Sequence, residues 1–251
     1  MANFLFKKSY RLSTFTKVKY DHLWGSQGVF TTIRVYGREP KYIFLKEHLS
    51  QLNKSLKKMH INFSLTEQKL IELIPNKLKI KKYNHLLRVA IKKNKISISL
   101  RSRLTPINDF QCKLVNYQRA NARIKNLKYK KILSIQKDID MQKTEILFCN
   151  KNSILEGSTT NLILIKDSVI VLPKGSYYRG ITLNFLLKTI HNKYVSKSIS
   201  VSELSKADEI ILVGSGKGVI KVTSIPKIKW FSSSSKMFKR LFSIYNAQLE
   251  S

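Results

Sequence analysis

Residues 145–172 read EILFCNKNSILEGSTTNLILIKDSVIVL, and the fold turns on this stretch. Four short apolar runs, Glu145–Cys149, Ser153–Leu155, Leu162–Lys166 and Ser168–Leu172, are too brief for helices. Lys151-Asn152 and Lys166-Asp167 separate them as tight hairpin turns do. The spacing predicts a meander of short strands. Its middle connection is unusual, because Glu156-Gly157 is followed by four polar residues, Ser158, Thr159, Thr160 and Asn161.

Moving toward the C-terminus, Arg179-Gly180 leads directly into a helical pattern over Ile181–Ile190. Glu209–Val213 and Val219–Ile225 read as strands. The four serines Ser232–Ser235 read as a loop before a terminal helix over Lys236–Gln248. Toward the N-terminus, a basic stretch over Ala120–Gln136 predicts a long helix, preceded by an extended segment over Lys113–Tyr117. Gly28–Tyr36 alternates β-branched and aromatic residues and predicts a strand, with Gly37–Pro40 as a turn and Tyr42–Leu45 as its return partner. Leu49, Leu52, Leu56 and Met59 place a helix over Lys46–Met59, and Leu65–Leu73 forms a second, ended by Pro75. His85–Ile91 and Lys95–Leu100 flank the Lys93-Asn94 turn as another hairpin. The pattern changes after Pro106, which predicts an α/β (α+β) protein of two domains, 1–112 and 113–251.

The chain has 251 residues, 47 of them Lys or Arg against 15 Asp or Glu, for a net charge of +32. With 43% hydrophobic residues it is too apolar for a disordered basic tail and long enough to bury a large core. The charge invites a nucleic-acid reading. Against it, the cations are 37 Lys and 10 Arg spread along the whole chain. No helix-turn-helix, zinc-finger or RNP-type pattern accompanies them, so specific nucleic-acid binding is not expected. Cys112 and Cys149 form neither a disulfide framework nor a metal-ligand spacing. No apolar run reaches membrane-spanning length, and the first eight residues lack a leader pattern, so a cytoplasmic protein is expected.

Gly214-Ser215-Gly216-Lys217-Gly218 has the look of a phosphate loop but fails that template, since residue 218 is Gly where the template requires Ser or Thr. A different pattern accounts for it. GVFTTIRVYG (28–37), FLKEHLSQLNKSL (44–56), IKNLKY (124–129), ILEGSTTNLILI (154–165) and RGIT (179–182) stand in the order and spacing of one family. The sequence resembles, over residues 20–245, the fold-type IV (class IV) pyridoxal-phosphate aminotransferases, which include branched-chain and D-amino-acid aminotransferases and 4-amino-4-deoxychorismate lyase. The resemblance implies a smaller N-terminal α/β domain and a larger C-terminal cofactor-binding domain with a mixed, barrel-like sheet. It also implies a homodimer and pyridoxal 5'-phosphate as cofactor.

The same resemblance assigns roles. Lys125 matches the lysine that links to the cofactor and moves the proton at the substrate α-carbon; a lysine in that role must be partly neutral, which desolvation or a nearby cation such as Arg123 or Lys128 promotes. Tyr129 matches a position whose hydroxyl in some relatives meets the cofactor ring oxygen. Glu156 matches the glutamate that pairs with the pyridine nitrogen and keeps the ring an electron sink. Ile181 and Thr182 match a phosphate cradle at a helix N-terminus, where free amides and the helix dipole favour an anion and Gly180 allows close approach. Ser215 matches a phosphate contact, and Gly216 lines the substrate site. One position departs from the pattern: Gln51 stands where the family has an arginine facing the phosphate. Gln51 retains a hydrogen bond but loses charge assistance, for which Lys54 or Lys217 is the candidate replacement.

Phe30, Thr31 and Thr32 stand where many transaminases read Phe-Glu and deoxychorismate lyases read Phe-Thr-Thr. Arg88, on the second hairpin, is a candidate for a substrate carboxylate. The similarity therefore implies a lyase that releases pyruvate and 4-aminobenzoate, in folate biosynthesis. The alternatives are a class IV aminotransferase of branched-chain or D-amino acids and, in a different class, a basic nucleic-acid-binding protein.

Overall fold

β-branched and aromatic residues predominate from Val29 to Tyr36, and there the chain forms a ten-residue strand. The computed structural model describes residues 3–75, 78, 80–191 and 193–251. They form two compact units, one comprising the described residues through Arg103 together with Ile124–Leu133, the other Leu104–Arg123 with Ser134–Ser251.

The first unit contains β1 (Phe4–Arg11), β2 (Lys17–Val18), β3 (Gly28–Gly37), β4 (Lys41–Tyr42), α1 (Leu45–Lys58), α2 (Glu67–Leu73), β5 (Tyr83–Lys92) and β6 (Lys95–Ser102). Its six strands form one sheet in the order β2-β1-β6-β5-β3-β4. Val29, Ile33 and Val35 on one face of β3 share a core with Leu45, Leu49, Leu52 and Leu56 of α1. Each such leucine, fully buried, contributes about 1.5–3 kcal/mol. The expected return strand over Tyr42–Leu45 is cut short at Tyr42. Phe44 takes a left-handed conformation (φ 57°) as the N-cap of α1, turning the chain off the sheet.

The expected long helix over Ala120–Gln136 is reduced to α3 (Lys130–Gln136). Its first half is claimed by the sheet. Phe30 N donates to Lys125 O and Leu127 N to Gly28 O, both at 2.9 Å. Asn126 bridges Val29. Residues 125–127 thus line the start of β3, and their backbone groups are spent there rather than on helical bonds. Asn121, at φ 50°, also interrupts any helix.

The second unit holds β7 (Gln111–Asn116), β8 (Thr144–Asn150), β9 (Ser153–Gly157), β10 (Asn161–Lys166), β11 (Val169–Pro173), α4 (Ile181–Ile190), β12 (Tyr194–Lys197), β13 (Ile199–Ser200), α5 (Val201–Leu204), β14 (Glu209–Gly214), β15 (Gly218–Val222), β16 (Ser224–Ile225), β17 (Trp230–Phe231) and α6 (Lys236–Glu250). They build two mixed sheets, β12-β11-β10-β14-β15 and β13-β9-β8-β7-β16-β17. A shared core joins residues of both, among them Phe110, Leu147, Leu164, Leu212 and Trp230. The predicted meander is therefore two hairpins in two sheets, β8-β9 and β10-β11, which part at Ser158–Thr160. The second turn is Asp167-Ser168, both left-handed, one residue later than expected. The strand expected over Val219–Ile225 breaks at Thr223, whose amide donates to Phe110 O at 2.8 Å and starts a new pairing. No helix among the described residues is long and apolar enough to cross a membrane.

Candidate active site

In the first unit, strand alternation sorts the predicted pocket residues. Phe30 and Thr32 lie on one face of β3 and Thr31 on the other, as the two-residue period requires. Arg88 stands opposite Thr32 in the β3–β5 register. Its guanidinium stacks 3.6 Å above the Trp24 ring and lies 5.4 Å from that of Phe30, and its Nη2 donates to His22 O at 2.8 Å. Tyr129 stacks on Trp24 at 5.1 Å and meets Phe30 edge-on at 5.5 Å. The Lys125 ammonium sits 5.2 Å from the Phe30 centroid. Lys125, Tyr129, Phe30 and Arg88 therefore share one aromatic cluster, with Thr32 beside it. Burial pulls the Arg88 pKa down to about 10, and its Nε has no partner.

Thr31 is not part of that cluster. Its hydroxyl lies 2.7 Å from Nδ1 of His48 on α1, and both residues are buried. Burial, with the Lys125 charge second, lowers the His48 pKa to about 3, so the imidazole is neutral. Gln51, on the same helix, is half-buried, and Lys54 is exposed.

In the second unit Glu156, the penultimate residue of β9, is buried. Arg119 grips it with two charge-assisted bonds, Nε to Oε1 at 2.8 Å and Nη2 to Oε2 at 2.6 Å. Tyr178 N donates to Oε2 at 3.3 Å. Burial pushes the Tyr178 phenol up to about 12, so it stays protonated.

Asn161, five residues after Glu156, fixes the approach to α4. Its Nδ2 donates to Tyr178 O at 2.6 Å, and its Oδ1 accepts from Gly180 N at 2.8 Å. Gly180 caps the helix with no side-chain bond. A Cβ there would fall 2.6 Å from Asn161 Oδ1, which only glycine avoids. Ile181 and Thr182 follow in the first turn, both buried, and the Thr182 hydroxyl is buried without a partner. Uncapped amides, a positive dipole end and an orphaned hydroxyl form an anion-binding donor set. Ser215 and Gly216 lie in the β14–β15 turn. Lys217 directs its ammonium to Met141 O and to a position 4.7 Å over the Phe110 ring, so its charge is engaged inside the unit.

Sequence reasoning did not single out Trp24, His48 or Arg119, which the structure places against the predicted site residues. Among so many basic residues nothing marks Arg119 until its carboxylate partner is seen. Trp24 and His48 gain meaning only from the sheet faces they cover.

The sequence profile described as "Amino-transferase class IV" matches residues 28–225. A candidate branched-chain-amino-acid aminotransferase of Methanocaldococcus jannaschii is 23% identical over 237 residues, covering 82% of this chain and 81% of that one. The crystal structure of a candidate 4-amino-4-deoxychorismate lyase from Legionella pneumophila aligns with a TM-score of 0.73 at 21% identity, covering 88% and 91% of the two chains. A hypothetical aminotransferase of Mycobacterium tuberculosis, in its PLP-bound form, aligns at 0.70 with 14% identity, covering 96% and 98%. These likenesses show that the fold is shared.

Proposed function

Because the chain belongs to the amino-transferase class IV family, we propose that it is a pyridoxal 5'-phosphate enzyme and that its reaction is the cleavage of 4-amino-4-deoxychorismate to pyruvate and 4-aminobenzoate. The observation that carries the cofactor is the orphaned Thr182 hydroxyl at the uncapped N-terminus of α4. A buried hydroxyl without a partner costs about 1–3 kcal/mol, a cost that a phosphate oxygen removes. The residues present thus fit the group.

Thr182, the Ile181 and Thr182 amides and Ser215 would hold the phosphate. Glu156, gripped by Arg119, would pair with the ring nitrogen. Tyr129 would contact the ring, and Lys125 would supply the amine. When bound, the cofactor withdraws electrons from the substrate α-carbon. Lys125 would take the proton from that carbon as the enolpyruvyl C–O bond breaks and the ring aromatises, the proton leaving with the enolpyruvyl group as pyruvate, and the Phe30–Trp24–Tyr129 cluster would keep water from it. Arg88 stacks on Trp24 with an unpartnered Nε, a donor suited to a substrate carboxylate. Thr32 and Gly216 complete the substrate contacts, and Thr31 acts from behind the strand through His48.

The lyase reading is favoured by Phe30-Thr31-Thr32, which places no acid on the pocket strand, and by the similarity to the Legionella protein. It brings with it a homodimeric, cytoplasmic enzyme of folate biosynthesis. The similarity to the M. jannaschii protein favours the second reading, an aminotransferase of branched-chain or D-amino acids. The test supplies wild-type protein and Lys125→Ala with pyridoxal phosphate and 4-amino-4-deoxychorismate and follows both products. Equal release of pyruvate and 4-aminobenzoate, absent in Lys125→Ala, is expected. Cofactor binding without release of either product would refute the lyase and favour transamination, which amino-acid and oxo-acid pairs would then reveal.

A further inference from the structure

Glu145, near the start of β8, is fully buried. An isolated buried carboxylate is costly and persists only with strong donors. Four surround this one. Ile146 N and Ser158 Oγ donate to Oε1 at 3.0 and 2.5 Å, and Thr159 and Thr160 Oγ1 donate to Oε2 at 2.6 and 3.3 Å. Gln136 Nε2 donates to Ser158 Oγ at 2.7 Å and extends the network. Three consecutive hydroxyls thus turn inward onto one carboxylate.

The turn they form joins two residues of the cofactor site. Glu156 lies just before it and Asn161 just after, and Asn161 holds Tyr178 and Gly180 ahead of α4. The turn is also tightly confined: a Cβ on Gly157 would lie 2.0 Å from Thr160 Oγ1, and one on Gly214 would lie 3.1 Å from Thr159 O. Displacing the hydroxyls would therefore disturb Glu156, the α4 terminus and the β14–β15 turn together.

We propose that Glu145 is a positioning residue that, through the hydroxyls of Ser158–Thr160, fixes Glu156 and the N-terminus of α4 in the spacing that the cofactor's ring nitrogen and phosphate require. This rests on the pyridoxal-phosphate reading above. The geometry separates such a role from ordinary structural support, because the same unit contains a buried carboxylate of the second kind. Glu209 accepts from Ser234 Oγ and from the amides of Met237 and Phe238 at 2.8–2.9 Å, and so caps α6.

The experiment compares wild type, Glu145→Gln, Thr159→Val, their combination and Glu209→Gln. For each it measures the dissociation constant of pyridoxal phosphate from the cofactor-free protein, the unfolding midpoint, and the pH titration of the bound cofactor's visible absorbance. Glu145→Gln keeps the shape but turns one acceptor into a donor, and is expected to weaken cofactor binding at least about thirtyfold and to shift that titration. Thr159→Val, at an exposed residue, weakens binding about tenfold, and the combination is no worse than Glu145→Gln alone. Glu209→Gln lowers the unfolding midpoint with a dissociation constant within about twofold of wild type. Wild-type affinity in Glu145→Gln overturns the proposal, as does equal weakening in Glu209→Gln. If Glu145→Gln does not fold, unchanged affinity in Thr159→Val overturns it. A wild-type protein that binds no pyridoxal phosphate refutes the functional reading, and this proposal with it.

Discussion

Replacing Thr182 by valine separates the requirements of the fold from those of a ligand. The side chain is 1% exposed, and its hydroxyl has no hydrogen-bond partner. Valine has nearly the same shape, so no cavity forms, and in the first helical turn the two residues have similar propensity. An unsatisfied buried hydroxyl costs about 1–3 kcal/mol, so Thr182→Val should make the cofactor-free protein more stable by about 1 kcal/mol. If the hydroxyl serves a phosphate, the lost bond is one to a charged acceptor, about 1.5–3 kcal/mol, and affinity falls about ten- to a hundredfold. Urea unfolding of the cofactor-free protein and cofactor titration measure the two effects, which have opposite signs. A Thr182→Val protein that is less stable without cofactor, yet binds pyridoxal phosphate like wild type, would refute the reasoning. The hydroxyl would then be a packing element.

Arg119→Met should cost about 3–5 kcal/mol because it strands the buried Glu156 carboxylate, and adding Glu156→Gln should recover much of the loss; denaturant unfolding of both variants checks this. His48 predicts a pH dependence. Its folded pKa of about 3 lies below the unfolded value of about 6.5, so the unfolded chain binds the extra proton. The stability it contributes is full above pH 6.5 and falls as the pH drops toward 3, by at most about 5 kcal/mol. Urea unfolding between pH 7.5 and 4 should show that loss in wild type and a flatter profile in His48→Gln.

Much of the fold was legible because its elements are locally determined. The helix over Ile181–Ile190 falls where the Arg179-Gly180 signal placed it, and the β5–β6 hairpin follows from alternation around Lys93-Asn94. The failures arise where distant partners compete for the backbone. Residues 120–129 have helical composition, but the free edge of β3 claims 125–127, and no periodicity announces that edge. Thr31 read as a pocket residue beside Phe30, yet strand alternation turns it toward His48, a partner 17 residues away. The site shows the same division. Lys125, Glu156 and Thr182 are proposed from motif order, whereas the Arg119–Glu156 pair and the hydroxyls on Glu145 are matters of burial and pairing, which a list of residues does not contain.

The net charge of +32 bears on this division as well. Exposed lysines are nearly free to accumulate, since surface charges contribute little to stability and chiefly set solubility and non-specific binding. Buried acids are constrained, because each must be met by fixed donors. Of the 15 acidic residues, Glu145, Glu156 and Glu209 are buried. They serve in turn the hydroxyl turn, the Arg119 pair and the α6 cap. All three lie in the second unit, two of them on residues that frame the proposed cofactor site. In so basic a chain the scarce buried acids are therefore the constrained charges, and two of the three, Glu145 and Glu156, flank or hold the turn proposed to meet the cofactor.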